Sequence, residues 1–233
     1  MAYSHLSHSD HSTAPESPFD ESLYQSYLQA LLCGHGNRCQ ELVNTLLSSN
    51  LSVHDLYVHL FQRSLYEVGS LWESNKISVS VEHLATALTE RLMSLVYPRI
   101  FSAPHNGKKA VVSCVANELH QIGGRMVADV FELNGWDGYF LGANTPIPDM
   151  CSMLELKQPQ VLALSLSIYF NMEHLYQALG EVQQKYPHLP VIVGGQAFRW
   201  GGTDIENHFS NVTYMATLQQ LEHYIQNYQE NRL

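Results

Sequence analysis

The apolar residues of this chain keep one period up to about residue 101 and another from about residue 108. That change constrains the fold more than any other feature. From Glu21 to Phe101 the period is helical. Leu23, Tyr27, Leu31 and Leu32 form one stripe, closed by Gly34 and Gly36, the residue type that ends helices. Cys39, Leu42, Val43, Leu46 and Leu47 form a second stripe. Ser52 is placed to cap a third helix carrying Leu56, Leu60, Leu65, Val68 and Leu71. Ser78 opens a fourth with Leu84, Leu88, Leu92, Leu95 and Val96, and Pro98 near its end. Four helices with short connections predict a four-helix bundle over 20–101. SAPHNGKK (102–109) has the composition of a linker and marks the domain boundary.

Beyond it, KKAVVSCVA (108–116) is a short β-rich apolar run suited to a strand buried on both faces. Similar runs lie at Gly138–Leu141, Val161–Ser165, Val191–Val193 and Val212–Met215, with helical stretches near 121–134, 148–157, 171–185, 203–208 and 217–229. This alternation predicts an α/β domain over 108–233: a doubly wound, five-stranded parallel sheet of the Rossmann or flavodoxin-like kind. Ligands of such sheets sit beyond the carboxyl ends of the strands. The informative loops are therefore those after Ala116, Leu141, Ser165 and Val193.

Charge narrows the partners. Twelve Lys and Arg against 22 Asp and Glu give a net charge of −10, so direct nucleic-acid binding, which needs a basic face, is disfavoured. Thirteen histidines outnumber Lys plus Arg, which directs attention to a metal. There is no run of 18 apolar residues to span a membrane. The N-terminus lacks the basic and apolar regions of a secretory signal, and Cys33, Cys39, Cys114 and Cys151 form no CxxC pair. The expected compartment is the cytoplasm, with reduced thiols. Residues 1–19 read as a disordered leader, and His5, His8 and His11 within it as a solvated tail rather than a metal clasp.

The loop after the first predicted strand reads Asn117-Glu118-Leu119-His120-Gln121-Ile122-Gly123-Gly124. His120 stands just before a helix at the mouth of the sheet, where an imidazole can point outward to a metal. Glu118 can accept a hydrogen bond from the other ring nitrogen, which fixes the tautomer and raises basicity. Gly123 and Gly124 leave backbone open to close approach. A capped helix start with an incidental histidine explains the same residues. Ser165 and Ser167 end the third strand and Gly194-Gly195 the fourth, where ordinary strand-end polarity is the plainer explanation of each alone.

Taken together and in order, Glu118-x-His120-x-x-Gly123, the serine loop and Gly194-Gly195 resemble the cobalamin (vitamin B12) binding domain, in the base-off, His-on class shared with methionine synthase and methylmalonyl-CoA mutase. The match covers most of 108–230. The resemblance implies that His120 is the lower axial ligand of cobalt and that the displaced nucleotide tail enters a slot lined by Gly123, Ser165, Ser167, Gly194 and Gly195. Leu141-Gly142-Ala143-Asn144-Thr145-Pro146 is similar to the family's loop along the corrin edge. Glu118 stands where many members carry Asp, and the longer side chain puts its hydrogen bond to His120 in question.

In the helical half, Trp72 is followed after nine residues by Glu82-His83. The residues alone permit a core Trp, a Glu placed by a helix N-terminus and a surface His. The spacing, within LYEVGSLWESNKISVSVEHLAT, resembles light-sensing cobalamin proteins of the CarH and LitR kind, which implies a helical cap with Trp72 packed on the adenosyl group of adenosylcobalamin. Two departures matter. Those repressors carry a MerR-type DNA-binding module, whereas this sequence starts with a polar leader, so a sensor unit without its own DNA reader is expected. The best-known members have a His directly after the Trp that takes the upper cobalt position after photolysis; here it is Glu73, with His83 as a substitute. The implied function is a stand-alone cobalamin light sensor, not an enzyme, working through self-association or a protein partner. The alternatives are a corrinoid methyl carrier for a methyltransferase, holding methylcobalamin, a photocobilin-type sensor that also binds a bilin, and a cobalamin storage or delivery protein.

Overall fold

The computed structural model describes residues 17–102 and 104–228, so the histidines of the leader lie outside the described residues. α1 (Glu21–Leu32) starts where the Asp20 side chain accepts a hydrogen bond from Ser22 N, and α2 is Gly36–Ser48. Between them Gly34 sits at φ +71°, a left-handed turn that favours glycine. Ser52 Oγ accepts from Asp55 N at 2.9 Å and caps α3 (Val53–Asp55), as its position predicts. The helix continues through a π-helical segment, Leu56–Gln62, into α4 (Arg63–Glu73). That segment leaves no mark in the apolar spacing, because the steps of four along Leu56, Leu60, Ser64 and Val68, all buried, suit either geometry.

α5 (Val79–Met93) starts at Ser78 but does not run on to Pro98. A 3₁₀ turn, Ser94–Val96, leads into α6 (Tyr97–Ile100), whose first turn accommodates Pro98 because no helical N–H is needed there. The buried face of α5 also differs from the predicted stripe. Ala85, Leu88 and Leu92 are buried while Leu84 is 44% exposed, its tip lying against Gly34.

The sheet strands are β1 (Lys109–Cys114), β2 (Asp137–Phe140), β3 (Val161–Ser165), β4 (Val191–Gly194) and β5 (Val212–Tyr214). α7 (Ile122–Leu133), α8 (Ile147–Lys157), α9 (Met172–Lys185) and α10 (Leu218–Gln226) connect or follow them. The stretch near 203–208 holds only a 3₁₀ turn, Ile205–Asn207. All strand pairs are parallel, in the order β2-β1-β3-β4-β5. Successive residues of each strand face opposite sides. Ala110, Val112, Ala163 and Ile192 pack with α7, α10 and the helical region in one continuous core, while Val111, Leu162, Leu164 and Val193 pack with α8 and α9 in another. The expected helical region followed by a five-stranded parallel sheet is what the structure shows. The strand order reverses between β1 and β3, which makes their carboxyl ends the natural crevice for a ligand.

Candidate functional site

The loop that leaves β1 reaches this crevice through Asn117, which adopts φ +64°, a conformation Asn tolerates better than most residues. The turn is tied down on several sides. Asn117 N donates to Asn144 Oδ1 at 2.8 Å, and Asn144 N donates to Glu118 O at 2.8 Å. Asn171 Nδ2 donates to Asn117 O at 3.1 Å, and Asn117 Nδ2 lies 2.7 Å from His174 Nε2.

This turn drives Glu118 inward, where it has no exposed surface. Its Oε1 accepts from His120 Nδ1 at 2.7 Å and from His120 N at 2.9 Å. Its Oε2 accepts from Ser167 N at 2.9 Å and Ile168 N at 2.8 Å. The glutamate thus makes the hydrogen bond that its length put in question, and its second oxygen gathers the loop after β3. Burial alone would raise its pKa, but the hydrogen bonds from His120, Ile168 and Ser167 outweigh that and hold the carboxyl below the usual range. A buried anion with four donors is well satisfied.

The His120 side chain is 56% exposed. With Nδ1 committed to Glu118, Nε2 is the ring nitrogen left to meet a ligand. The hydrogen bond to Glu118 raises the imidazole above its ordinary pKa against the opposing effect of burial, and the charge of Glu82 on α5 adds to the rise. Glu82 precedes His120 by 38 positions, so its charge bears on the ring only through the tertiary fold. Thr86 Oγ1 donates to Glu82 Oε1 at 3.0 Å. Trp72 lies in the last turn of α4, 46% exposed, and the exposed His83 ring sits 3.5 Å from Glu82 Oε2.

The glycines divide by role. A Cβ on Gly123 would meet only Ser165 Oγ, at an ordinary 3.6 Å, so this exposed glycine leaves room that the protein itself does not require. Ser165 is buried beneath it. Gly195, at φ +119°, would bring a Cβ within 2.2 Å of Leu166 O, and one on Gly194 would come within 2.7 Å of Met215 O. Those two allow the loops after β3, β4 and β5 to close on one another. Thr145 Oγ1 donates to Gly142 O at 3.5 Å and Asn144 braces the β1 loop, so both serve the shape of the crevice. Asn117, Ile168, Asn171 and His174 escaped the reading of the sequence. Their contributions are backbone groups or partners 50 or more residues distant, and only an Asn before the Glu-x-His motif hinted at the turn.

The structure is an α/β protein whose parallel sheet carries an exposed, carboxylate-backed imidazole at its switch point. The particular family follows from comparison with known proteins. Residues 108–215 match the family model described as B12 binding domain, and residues 23–97 match a second model of the same description. The chain belongs to the B12-binding-domain proteins. It is similar to the HTH-type transcriptional repressor CarA of Myxococcus xanthus, 30% identical over 125 residues that span 53% of this chain and 43% of that protein. It is also similar to the HTH-type transcriptional repressor CarH of the same organism, 27% identical over 184 residues, 78% of this chain and 60% of that protein. The chain thus spans about half the length of the curated relatives it matches. The fold is that of the monomethylamine corrinoid protein of Methanosarcina barkeri, with a TM-score of 0.76 at 12% identity over 88% of this chain and 97% of that one. The resemblance carried by Glu118-x-His120-x-x-Gly123 and by Trp72 with Glu82-His83 is borne out at the level of the family. Among the described residues no helix is long and apolar enough to cross a membrane.

Proposed function

We propose that the chain is a cobalamin-dependent light sensor of the CarH type, holding adenosylcobalamin base-off with His120 as the lower ligand of cobalt. One observation carries the reading: the half-exposed imidazole anchored on buried Glu118 stands at the crevice directly beside Gln121, which hydrogen-bonds Glu90 of α5 in the helical region. A site addressed from the sheet below and from helices above suits a flat ligand held between two units. The donor set fits a cobalt corrinoid, because a metal already chelated by its macrocycle needs a single imidazole, and Glu118 fixes the tautomer that supplies it. Gly123, with open space over its Cα, and buried Ser165 would flank the nucleotide tail, with Ser167, Gly194 and Gly195 shaping the same slot.

When bound, adenosylcobalamin supplies a cobalt–carbon bond that light can break. In the bound protein His120 would hold the cobalt, and Trp72 and Glu82 of the helical region would close on the group from the other side. After illumination the helical region, through Trp72 and Glu82, would lose part of the surface it closes on. Its equilibrium position against the sheet then shifts, and self-association or the contact with a protein partner shifts with it. The test is to load the protein with adenosylcobalamin in the dark and illuminate it. The absorbance spectrum and the oligomeric state are expected to change, and constancy of both rejects the light sensor.

A corrinoid methyl carrier is the second reading, favoured by the fold shared with the monomethylamine corrinoid protein. Fold does not separate the two functions. A carrier loaded with methylcobalamin gives up its methyl group to a partner enzyme in the dark, and that assay distinguishes them.

A further inference from the structure

α7 begins directly after the His120 loop, with Gln121 as its N-cap. Gln121, Arg125 and Asp129 are spaced four residues apart and so lie along one side of that helix. Each bonds to a different element of the helical region. Gln121 Nε2 donates to Glu90 Oε1 of α5 at 2.9 Å. Arg125 donates to the Tyr97 hydroxyl of α6, and its guanidinium lies 5.6 Å from the Tyr97 ring centroid. The hydroxyl of Tyr57, in the π-helical segment, donates to Asp129 Oδ2 at 2.6 Å, a pair buried from solvent. Around these rungs the interface is apolar, with Val96 and Ile100 in the same core as Ile122, Met126 and Val130.

Apolar burial holds two surfaces together without choosing a register, since it is non-directional. A polar pair inside such an interface does choose, because a shift leaves a donor or acceptor buried without its partner. The first rung adjoins His120, and α5, which carries Glu90, also carries Glu82 about two turns earlier.

We propose that this ladder sets the register of the helical region over His120, with Glu90, Tyr97 and Tyr57 as positioning residues for the upper half of the site. The inference rests on the cobalamin reading above. It adds that α7 is the element through which movement of the helical region and the geometry at His120 are coupled.

The test compares dissociation constants for adenosylcobalamin, with its bulky upper group, and hydroxocobalamin, with a small one. The Glu90→Ala, Tyr57→Phe double variant is expected to weaken adenosylcobalamin about tenfold more than hydroxocobalamin. Glu90→Gln, which keeps a carbonyl acceptor for Gln121, is expected to match the wild type, and His120→Ala to weaken both ligands. An unchanged ratio in the double variant overturns the proposal. If the double variant does not fold, Glu90→Ala alone carries the comparison, with the same two outcomes. Should the wild type bind neither cobalamin, it is the functional reading that fails. Amide hydrogen exchange in the cofactor-free protein then decides the ladder: Glu90→Ala speeds exchange of residues 125–128, the first amides bonded within α7, about tenfold if Glu90 holds the start of that helix, and unaltered exchange overturns it.

Discussion

Glu118 grips His120 twice with one oxygen: Oε1 accepts from the ring Nδ1 at 2.7 Å and from the same residue's backbone N–H at 2.9 Å. The carboxylate therefore fixes both where the histidine stands and which ring nitrogen carries the proton. Its other oxygen, on Ser167 N and Ile168 N, makes the histidine's position depend on the loop after β3.

Glu118→Gln retains the shape and removes one acceptor oxygen. Either His120 or the two amides of the β3 loop then face an amide NH₂, donor against donor, in a site closed to water. Stability is expected to fall by about 1–3 kcal/mol, measured by urea unfolding, and cobalamin affinity with it. A variant as stable as the wild type would show that the four hydrogen bonds are not what holds the loop.

His120→Ala is expected to leave the fold intact, because the imidazole is more than half exposed. With cob(II)alamin bound to ¹⁵N-labelled protein, the ¹⁵N splitting of the paramagnetic resonance spectrum disappears in this variant if Nε2 is the lower ligand, whether or not the cofactor's own base returns to cobalt. Persistence of a protein nitrogen signal would assign the ligand elsewhere.

The glycines separate structural from ligand-binding roles. Gly195→Ala places a methyl group against Leu166 O in a left-handed conformation and is expected to destabilise the protein by about 2 kcal/mol or more. Gly123→Ala meets only an ordinary contact with Ser165 Oγ and is expected to unfold like the wild type. Loss of cobalamin affinity in Gly123→Ala, with stability preserved, then reports a ligand lying against the start of α7. Tight binding by that variant would place the nucleotide tail elsewhere.

Burial raises the Asp129 carboxyl to about 6, Glu132 adds to the rise, and the Tyr57 hydrogen bond and Arg125 oppose it. Because the unfolded chain gives up this proton at lower pH than the folded protein, the unfolded state binds fewer protons between about pH 4 and 6. Asp129 therefore costs stability as pH rises through that window. Asp129→Asn keeps a carbonyl acceptor for Tyr57 and removes the charge. Its melting temperature is expected to exceed that of the wild type at pH 7, by the equivalent of about 2–3 kcal/mol, and the difference to vanish near pH 4. A pH-independent difference would show that Asp129 does not titrate in this range.

Much of the fold was legible because it is written in local chemistry. Apolar period, the Ser52 cap and strands buried on both faces each depend on near neighbours, and all three predict the elements observed. The interrupted end of α5 was not legible, because Leu95 and Val96 continue an apolar pattern whichever turn geometry they adopt. At the site, Glu118 and His120 were legible for the same reason, two residues apart on one loop. The roles of Asn144, Gly194 and Gly195 were not, since what they touch comes from other strands.

The sequence alone determined the shift from helical to strand period, the net charge of −10, and the single histidine that stands out among thirteen. These follow from residue type and spacing, which folding does not alter. How the two halves meet was decided by the folded chain. Glu90 and Gln121 are 31 residues apart and Tyr57 and Asp129 are 72 apart. No local period or cap encodes such pairs, because they form only once the apolar face of α7 has packed against the helical region. The grip of Glu118 on the β3 loop, 49 residues away, arises in the same way. It holds a histidine at a strand end in one position and one tautomer.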